Sequence, residues 1–200
     1  MSSINENQGL LVHDDISPEH IARIERDPVL FQQPVALDHV VVTLRDSVHL
    51  LEYQHELLKL GGKIIEGPGT WPGDFCTEDT FPDDLSMYFA SALLTTGVVA
   101  VLAAPHKAND QLDRFRIERG PKAVHHVAIA VANIEQARAS WLERSFRPLS
   151  RLLDDGNLAQ QFLRNDQGQI LELIKRRNQN QATFTCDNLK GLRQSEGAPK

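Results

Sequence analysis

The sequence predicts an α+β fold in which two tandem βαβββ modules form one curved mixed sheet around a cavity. The main observation is an internal repeat: a strand-like apolar run led by a histidine occurs at residues 37–44 and again at 124–131. Each run leads into a polar break, a helical pattern and further short strand patterns. The 200 residues are enough to bury one core of this kind. We therefore predict an N-terminal arm over 1–35 and a single domain over 36–200.

The arm and module one contain clear start and stop signals. In the arm, Ser17-Pro18-Glu19 predicts an N-cap and first turn of a short helix that ends near Arg26. Residues 67–84 are rich in Gly, Pro and Asp and predict a long surface loop. Module one spans 36–104, and its predicted elements are a strand at 36–44, a helix at 46–60 and strands at 63–66, 85–94 and 97–103.

Module two repeats this order over residues 123–177. A polar connector at 105–120, with a helical turn near 110–115, precedes it. A turn at Asp155-Gly156-Asn157 predicts a hairpin, and residues 178–200 form a closing tail with a short helix at 187–192. The predicted elements of the module are a strand at 124–131, a helix from the N-cap Asn133 to 145, and strands at 149–153, 158–164 and 169–176.

Three polar residues lie inside otherwise apolar strands of this predicted sheet. His39 and His126 hold the same position in the two repeats, and Glu172 lies in the middle of the last strand. A buried carboxylate costs several kcal/mol unless it is paired or bound to a metal. Two imidazoles and one carboxylate with open positions are typical of non-heme Fe(II) sites. The sequence therefore predicts that the three residues converge on a metal in the cavity.

His125 competes with His126 for the ligand role. Alignment of the repeats matches His126 with His39, and His125 with Asp38. Because strand side chains alternate, we expect His125 and Asp38 on the face opposite to the ligands. A lone strand histidine is more often a hydrogen-bonded core residue than a ligand, and the hypothesis depends on the repeat.

The composition limits the classes of binding partner and the cellular compartment that we expect for the protein. The formal net charge is −6, which argues against nucleic acid or an anionic membrane as a partner. No apolar run reaches the roughly 20 residues that span a bilayer, and the N-terminal residues do not resemble a secretory signal. Cys76 and Cys186 are too few for a disulfide framework or a thiolate zinc cluster, which suggests a reducing compartment. We therefore expect a cytoplasmic protein.

The chain resembles the vicinal oxygen chelate superfamily over about residues 36–176, and within it the catalytic half of 4-hydroxyphenylpyruvate dioxygenase and its relatives. The stretches that carry the resemblance are Leu-Asp-His-Val-Val at 37–41, Val-His-His-Val-Ala at 124–128, Leu-Ala-Gln-Gln-Phe at 158–162, Leu-Glu-Leu-Ile-Lys-Arg at 171–176 and Phe-Thr-Cys-Asp-Asn-Leu at 184–189. The resemblance implies Fe(II) as the cofactor, with His39, His126 and Glu172 as its ligands.

The resemblance also implies residues that contact the substrate. These are Ser91, Gln160, which would also act in catalysis, Phe162, and a closing tail with Phe184 and Leu189. Leu189 stands where the family places a phenylalanine, and a leucine cannot supply aromatic stacking worth about 0.5–1.5 kcal/mol. We therefore expect a smaller or differently shaped substrate than hydroxyphenylpyruvate, such as another 2-oxo acid or a vicinal diol.

The favoured function is an Fe(II)-dependent dioxygenase with a small molecule and O2 as its partners. One alternative is a metal-dependent glyoxalase-type isomerase, epimerase or lyase. Those relatives usually carry a further ligand on the last strand of module one, but residues 97–102 contain no acid or amide. A second alternative is a small-molecule binding protein, which has no need for Glu172. A homodimer through the arm or the open sheet edges is compatible with this fold.

Overall fold

A computed structural model describes residues 15–76, 85–178 and 186–197 of the chain. The helices are α1 (Pro18–Ala22), α2 (Ser47–Lys59), α3 (Gln111–Arg119), α4 (Ile134–Leu142) and α5 (Cys186–Gly197). The strands are β1 (Val29–Leu30), β2 (Gln33–Pro34), β3 (Ala36–Leu44), β4 (Lys63–Trp71), β5 (Met87–Leu93), β6 (Val99–Pro105), β7 (Lys122–Ala130), β8 (Arg147–Pro148), β9 (Leu153–Asp154), β10 (Leu158–Arg164) and β11 (Ile170–Arg176).

Both modules contribute to one continuous sheet. Its strands are hydrogen-bonded in the order β4-β5-β6-β3-β7-β11-β10-β8, and β9 also pairs with β10. The first strands of the two modules, β3 and β7, are antiparallel neighbours at the centre. The pairs β3–β6 and β7–β11 are parallel, so the sheet is mixed. The predicted α+β fold of two βαβββ modules is confirmed, and β1 and β2 form a separate hairpin in the arm that the sequence did not predict.

Alternate residues of the central strands pack in two different apolar layers, one on each face of the sheet. Val40 and Val42 of β3 pack in the larger core together with Leu57 of α2. Val41 joins a second cluster on the other face, which includes Val101 of β6. Because strand side chains alternate, α1, α2 and α4 cover one face of the sheet, while the other face lines a cavity that Leu112 of α3 and Leu189 of α5 also line.

Side-chain caps start the helices, as the sequence predicts for two of them. Ser17 accepts a hydrogen bond from the backbone N–H of His20 at the start of α1, and Asn133 accepts one from Gln136 at the start of α4. Asp110 caps α3 in the same way. With this cap, α3 is a nine-residue helix rather than the single turn expected at 110–115.

The first module differs from the prediction at β4. Residues 67–71 continue this strand and pair with β5, although a loop was predicted there. Two register shifts interrupt the pairing. Gly67 has a φ of +73°, and a Cβ there would lie 2.6 Å from the carbonyl oxygen of Phe89. The glycine that suggested a loop therefore allows the strand to continue through an irregular pairing.

The second module differs at residues 149–153, where the predicted strand is absent. The two-residue strands β8 and β9 pair with opposite ends of β10 instead. Between them, the hydroxyl of Ser150 accepts a hydrogen bond from the backbone N–H of Phe162. A side chain thus replaces part of the ladder that a regular strand would form. The hairpin turn predicted at residues 155–157 is present between β9 and β10.

The two cysteines form a disulfide bond, although their small number suggested no disulfide framework and a reducing compartment. Cys76 and Cys186 are 110 residues apart in sequence, and their Cα atoms lie 5.9 Å apart. They meet because the segment after β4 and the start of α5 come together at the edge of the cavity. The pairing could not be predicted from the sequence, since the spacing of two cysteines does not show which segments approach each other.

None of the described helices is long and apolar enough to cross a membrane.

Candidate metal centre

The structure brings together the three residues that the sequence suggests as metal ligands. His39 on β3, His126 on β7 and Glu172 on β11 each offer one ligand atom, and these atoms all lie within 4.8 Å of one another. Oε2 of Glu172 is 3.0 Å from Nε2 of His39 and 3.3 Å from Nε2 of His126. All three side chains are buried.

A small residue in the middle of the sheet makes this convergence possible. Ala128 of β7 pairs with His39 on one side and with Glu172 on the other. Side chains on paired residues share a face of the sheet. The methyl group of Ala128 leaves open the space over which the carboxylate and the imidazole reach toward each other.

The electrostatics of the group suit a carboxylate ligand. Burial raises the pKa of Glu172, but the charge of His39 and the two imidazole contacts outweigh it and lower the pKa to about 2. Burial lowers the pKa of His39, whereas the charge of Glu172 and the contact with Asp38 raise it above its usual value. For His126, burial lowers the pKa and outweighs the contact with Glu172. Glu172 is therefore ionised at neutral pH, and His126 is a neutral imidazole.

Two buried polar atoms at this point fit a metal ion. Oε1 of Glu172 has no hydrogen-bond partner in the described part of the chain, and Nε2 of His126 lies 3.3 Å from Oε2 of Glu172 without the geometry of a hydrogen bond. Leaving a buried polar atom unsatisfied costs about 1–3 kcal/mol. Nitrogen and carboxylate donors are the ligands that iron and zinc accept. The donor types, their burial and their convergence thus all fit a divalent metal.

The residue before each ligand histidine supports its ring. Oδ1 of Asp38 is 2.8 Å from Nδ1 of His39, and Arg176 holds the carboxylate through hydrogen bonds of 2.7 and 2.8 Å. Nδ1 of His125 is likewise 2.8 Å from Nδ1 of His126. These contacts correct the expectation that Asp38 and His125 face away from the site.

Two β-bulges are the physical reason for this correction. In the β3–β7 ladder, Leu37 and His39 face consecutive residues of β7, so Asp38 is an extra residue. A second shift leaves His125 without a partner in the same ladder. A bulge breaks the strict alternation of side chains. Each extra residue therefore lies on the same side as the histidine that follows it.

The cavity has a polar end and an apolar body. Beside the three ligand candidates, its polar lining consists of His125, Gln160 and Asn188. No lysine or arginine belongs to the lining formed by the described residues. The apolar body is lined by Val41, Met87, Phe89, Val101, Ala103, Leu112, Phe162 and Leu189.

Most of the proposed substrate-contact residues line this cavity. Gln160, Phe162 and Leu189 do so, and the ring of Phe162 packs edge-on against His126 with centroids 5.3 Å apart. Ser91 is buried but lies outside the lining, and its hydroxyl donates a hydrogen bond to Glu66. Phe184 falls outside the described residues.

The C-terminal helix α5 closes one side of the cavity. The carbonyl oxygen of Asn188 accepts a 3.0 Å hydrogen bond from Nε2 of Gln160, and Leu189 packs against apolar residues of the cavity wall. The Cys76–Cys186 disulfide ties the start of this helix to module one. The sequence reasoning overlooked Asn188 and the disulfide. The available signal was that Cys186 lies in the predicted closing tail and Cys76 in the long loop predicted at 67–84.

Comparison with solved structures identifies the fold. A variant of 4-hydroxymandelate synthase from Streptomyces coelicolor superposes with a TM-score of 0.59 at 19% identity, covering 83% of this chain and 54% of that one. Hypothetical protein BH1468 from Bacillus halodurans C-125 superposes with a TM-score of 0.51 at 19% identity, over 72% of this chain and 95% of that one. This chain therefore spans about half the length of the synthase.

A third likeness is to methylmalonyl-CoA epimerase from Mycobacterium tuberculosis, with a TM-score of 0.50 at 17% identity over 74% of this chain and 91% of that one. No protein-family model matches the sequence, and no curated protein matches it either. The chain thus has the vicinal oxygen chelate fold, with a buried group of two histidines and one glutamate able to hold a metal. A synthase and an epimerase share this fold, so the likeness does not select a reaction.

Proposed function

We propose that the protein is a non-heme Fe(II)-dependent dioxygenase whose small substrate carries two neighbouring oxygen atoms, as a 2-oxo acid or a vicinal diol does. The observation that carries the proposal is the buried donor set of His39, His126 and Glu172. These three residues would hold Fe(II) with coordination positions left open, and the ion would supply reactivity toward O2. The proposed partners are accordingly the small substrate and O2.

The number of ligands favours this reaction over a glyoxalase-type isomerisation, epimerisation or lysis. On β6, the residues that face the cavity side are Val99, Val101 and Ala103. No acid or amide from this strand reaches the group of three. A set of three protein ligands leaves more positions open than a set of four.

The lining of the cavity supports a bound orientation for the substrate. Its oxygen atoms belong at the polar end beside Glu172, and its apolar part belongs against Phe89 and Val101. We assign to Gln160 the role of orienting the polar part of the substrate, because the hydrogen bond of Gln160 to Asn188 fixes the plane of its amide group. Phe162 forms a wall beside His126. The apolar lining and the cover by α5 exclude water from the reacting atoms.

The test combines metal content with oxygen uptake. The chain is reconstituted anaerobically with Fe(II) and given a panel of 2-oxo acids and catechols. We expect one iron per chain and substrate-dependent O2 consumption. The matched variant Glu172→Gln keeps the side-chain volume but removes the charge, and it should lose both iron and O2 uptake. Glu52→Gln, on the exposed side of α2, is the control that keeps both.

Two results would contradict the proposal. Tight binding of zinc, nickel or manganese with no O2 uptake would favour the isomerase, epimerase or lyase. Absence of metal binding in the correctly folded chain would favour a small-molecule binding protein on this fold. Circular dichroism separates these results from misfolding.

A further inference from the structure

The two β-bulges occupy equivalent positions in the repeat, one residue before each ligand histidine. On β3, Leu37 and Val40 both pack in the helix-side core, although they are three residues apart. On β7, Val124 and Val127 show the same spacing on the same face. A regular strand would place residues three apart on opposite faces. In both modules, two consecutive residues between them therefore lie on the cavity side.

The extra residue in each bulge forms the hydrogen bond that fixes the following ring. Asp38 contacts Nδ1 of His39, and His125 contacts Nδ1 of His126, both at 2.8 Å. A carboxylate only accepts hydrogen bonds, so Nδ1 of His39 carries a proton. In the second pair, one of the two Nδ1 atoms donates to the other. An imidazole with its proton on Nδ1 presents its lone pair at Nε2, the atom that faces Glu172.

We propose that Asp38 and His125 are positioning residues that hold His39 and His126 in the tautomer and orientation in which Nε2 is the metal ligand. This inference rests on the proposed metal centre. In the second pair, Nδ1 of His126 is the donor and Nδ1 of His125 the acceptor. His125 therefore carries its own proton on Nε2.

The two supports differ in strength. Asp38 is an anion that accepts two hydrogen bonds from Arg176. His125 is an imidazole that packs against the ring of Phe115, with centroids 4.5 Å apart. Hydrogen bonds to an ionised acceptor are stronger than bonds between neutral groups. His39 is thus the more firmly fixed ligand, and His126 depends on a bond that a single substitution can remove.

The test is made at His125, because substitution of Asp38 would leave Arg176 without its partner and could prevent folding. His125→Phe keeps a ring but removes the acceptor, whereas His125→Asn keeps an acceptor close to the position of Nδ1. The probe is Zn²⁺, with affinity measured by competition against a chromophoric chelator. We expect His125→Phe to lose about 10–100-fold in affinity and His125→Asn to recover most of it. His55→Phe, on the exposed side of α2, is the control.

A second readout separates positioning from packing. In the Zn²⁺-loaded chain, ¹⁵N spectra of the imidazoles should show Nε2 of His126 as the bound nitrogen, and His125→Phe should broaden or divide that signal. Equal affinities for the parent chain and His125→Phe would overturn the inference, as would an equal loss in the Phe and Asn variants. If affinity changes as expected but the iron-loaded parent consumes no O2, the positioning role holds and the proposed dioxygenase fails.

Discussion

The two modules carry different residues at the position that completes the metal site. Val101 on β6 lies opposite the residue two places after the first ligand histidine, and Glu172 on β11 lies opposite the residue two places after the second. They are therefore equivalent in the repeat. The next strands differ in the same way. Phe89 of β5 pairs with the residue two places after Val101, and Gln160 of β10 pairs with the residue two places after Glu172.

This difference shows how one repeated framework divides two tasks. Both modules offer a histidine, but only module two adds a carboxylate and an amide. Module one offers an apolar surface at the same positions. The set of three ligands follows from this asymmetry, because a carboxylate at Val101 would supply a fourth.

The largest effect is expected when module two is made like module one. Glu172→Val removes the single anionic donor of the group and leaves two imidazoles. We expect metal affinity and O2 uptake to fall by more than about 100-fold, the upper range for loss of supporting contacts. Metal content after dialysis measures the effect. Loss of the metal from Val101→Ala, which changes only the apolar wall, would contradict the proposed difference between the modules.

The reverse substitution tests whether a fourth ligand position exists. Val101→Glu gives module one the carboxylate of module two. We expect tighter binding of Zn²⁺ or Mn²⁺, by about 10-fold, and weaker O2 uptake by the iron form, because one open position is filled. Competition titrations and an oxygen electrode provide the two measurements. Val101→Met is the control of similar length without charge, and a gain in Zn²⁺ affinity there would contradict the explanation.

Helix α5 is attached to the two modules by bonds of different kinds. A covalent bond joins this helix to module one, while the carbonyl oxygen of Asn188 accepts a hydrogen bond from Gln160 of module two. The double variant Cys76→Ser, Cys186→Ser should lower the free energy of unfolding by about 2–5 kcal/mol. Urea denaturation measures the change. The parent chain in excess dithiothreitol should match the double variant, and a parent that is unaffected by reduction would show that the bond contributes nothing.

The smallest effect is expected on the module-two side of the same helix. Gln160→Met removes the hydrogen bond to Asn188 and should cost about 1 kcal/mol in unfolding free energy, with a higher KM for the substrate. Gln161→Met is a matched control, because Gln161 is also buried and donates to a backbone carbonyl, that of Ser150. It should lose similar stability with no change in KM. A raised KM in both variants would argue against a role for Gln160 in orienting substrate.

The ligand candidates could be found from the sequence because alignment of the two copies of the repeat shows which positions are equivalent. His39 and His126 stand out only when the two apolar runs are aligned, and Glu172 only because it interrupts an apolar strand. The order of strands and helices followed from the same periodicity. The element ends were less accurate where a side chain such as Ser150 or an irregular pairing at Gly67 changed the ladder.

The sequence by itself determined the two modules and the three converging polar residues, since hydrophobic periodicity is local and strongly specifies which face of a strand is buried. Only the tertiary structure decided the roles of Asp38 and His125, because a bulge depends on the pairing between β3 and β7. It likewise decided the Cys76–Cys186 bond, which joins residues 110 positions apart. Interactions of this kind depend on which distant segments meet, and no local pattern records that.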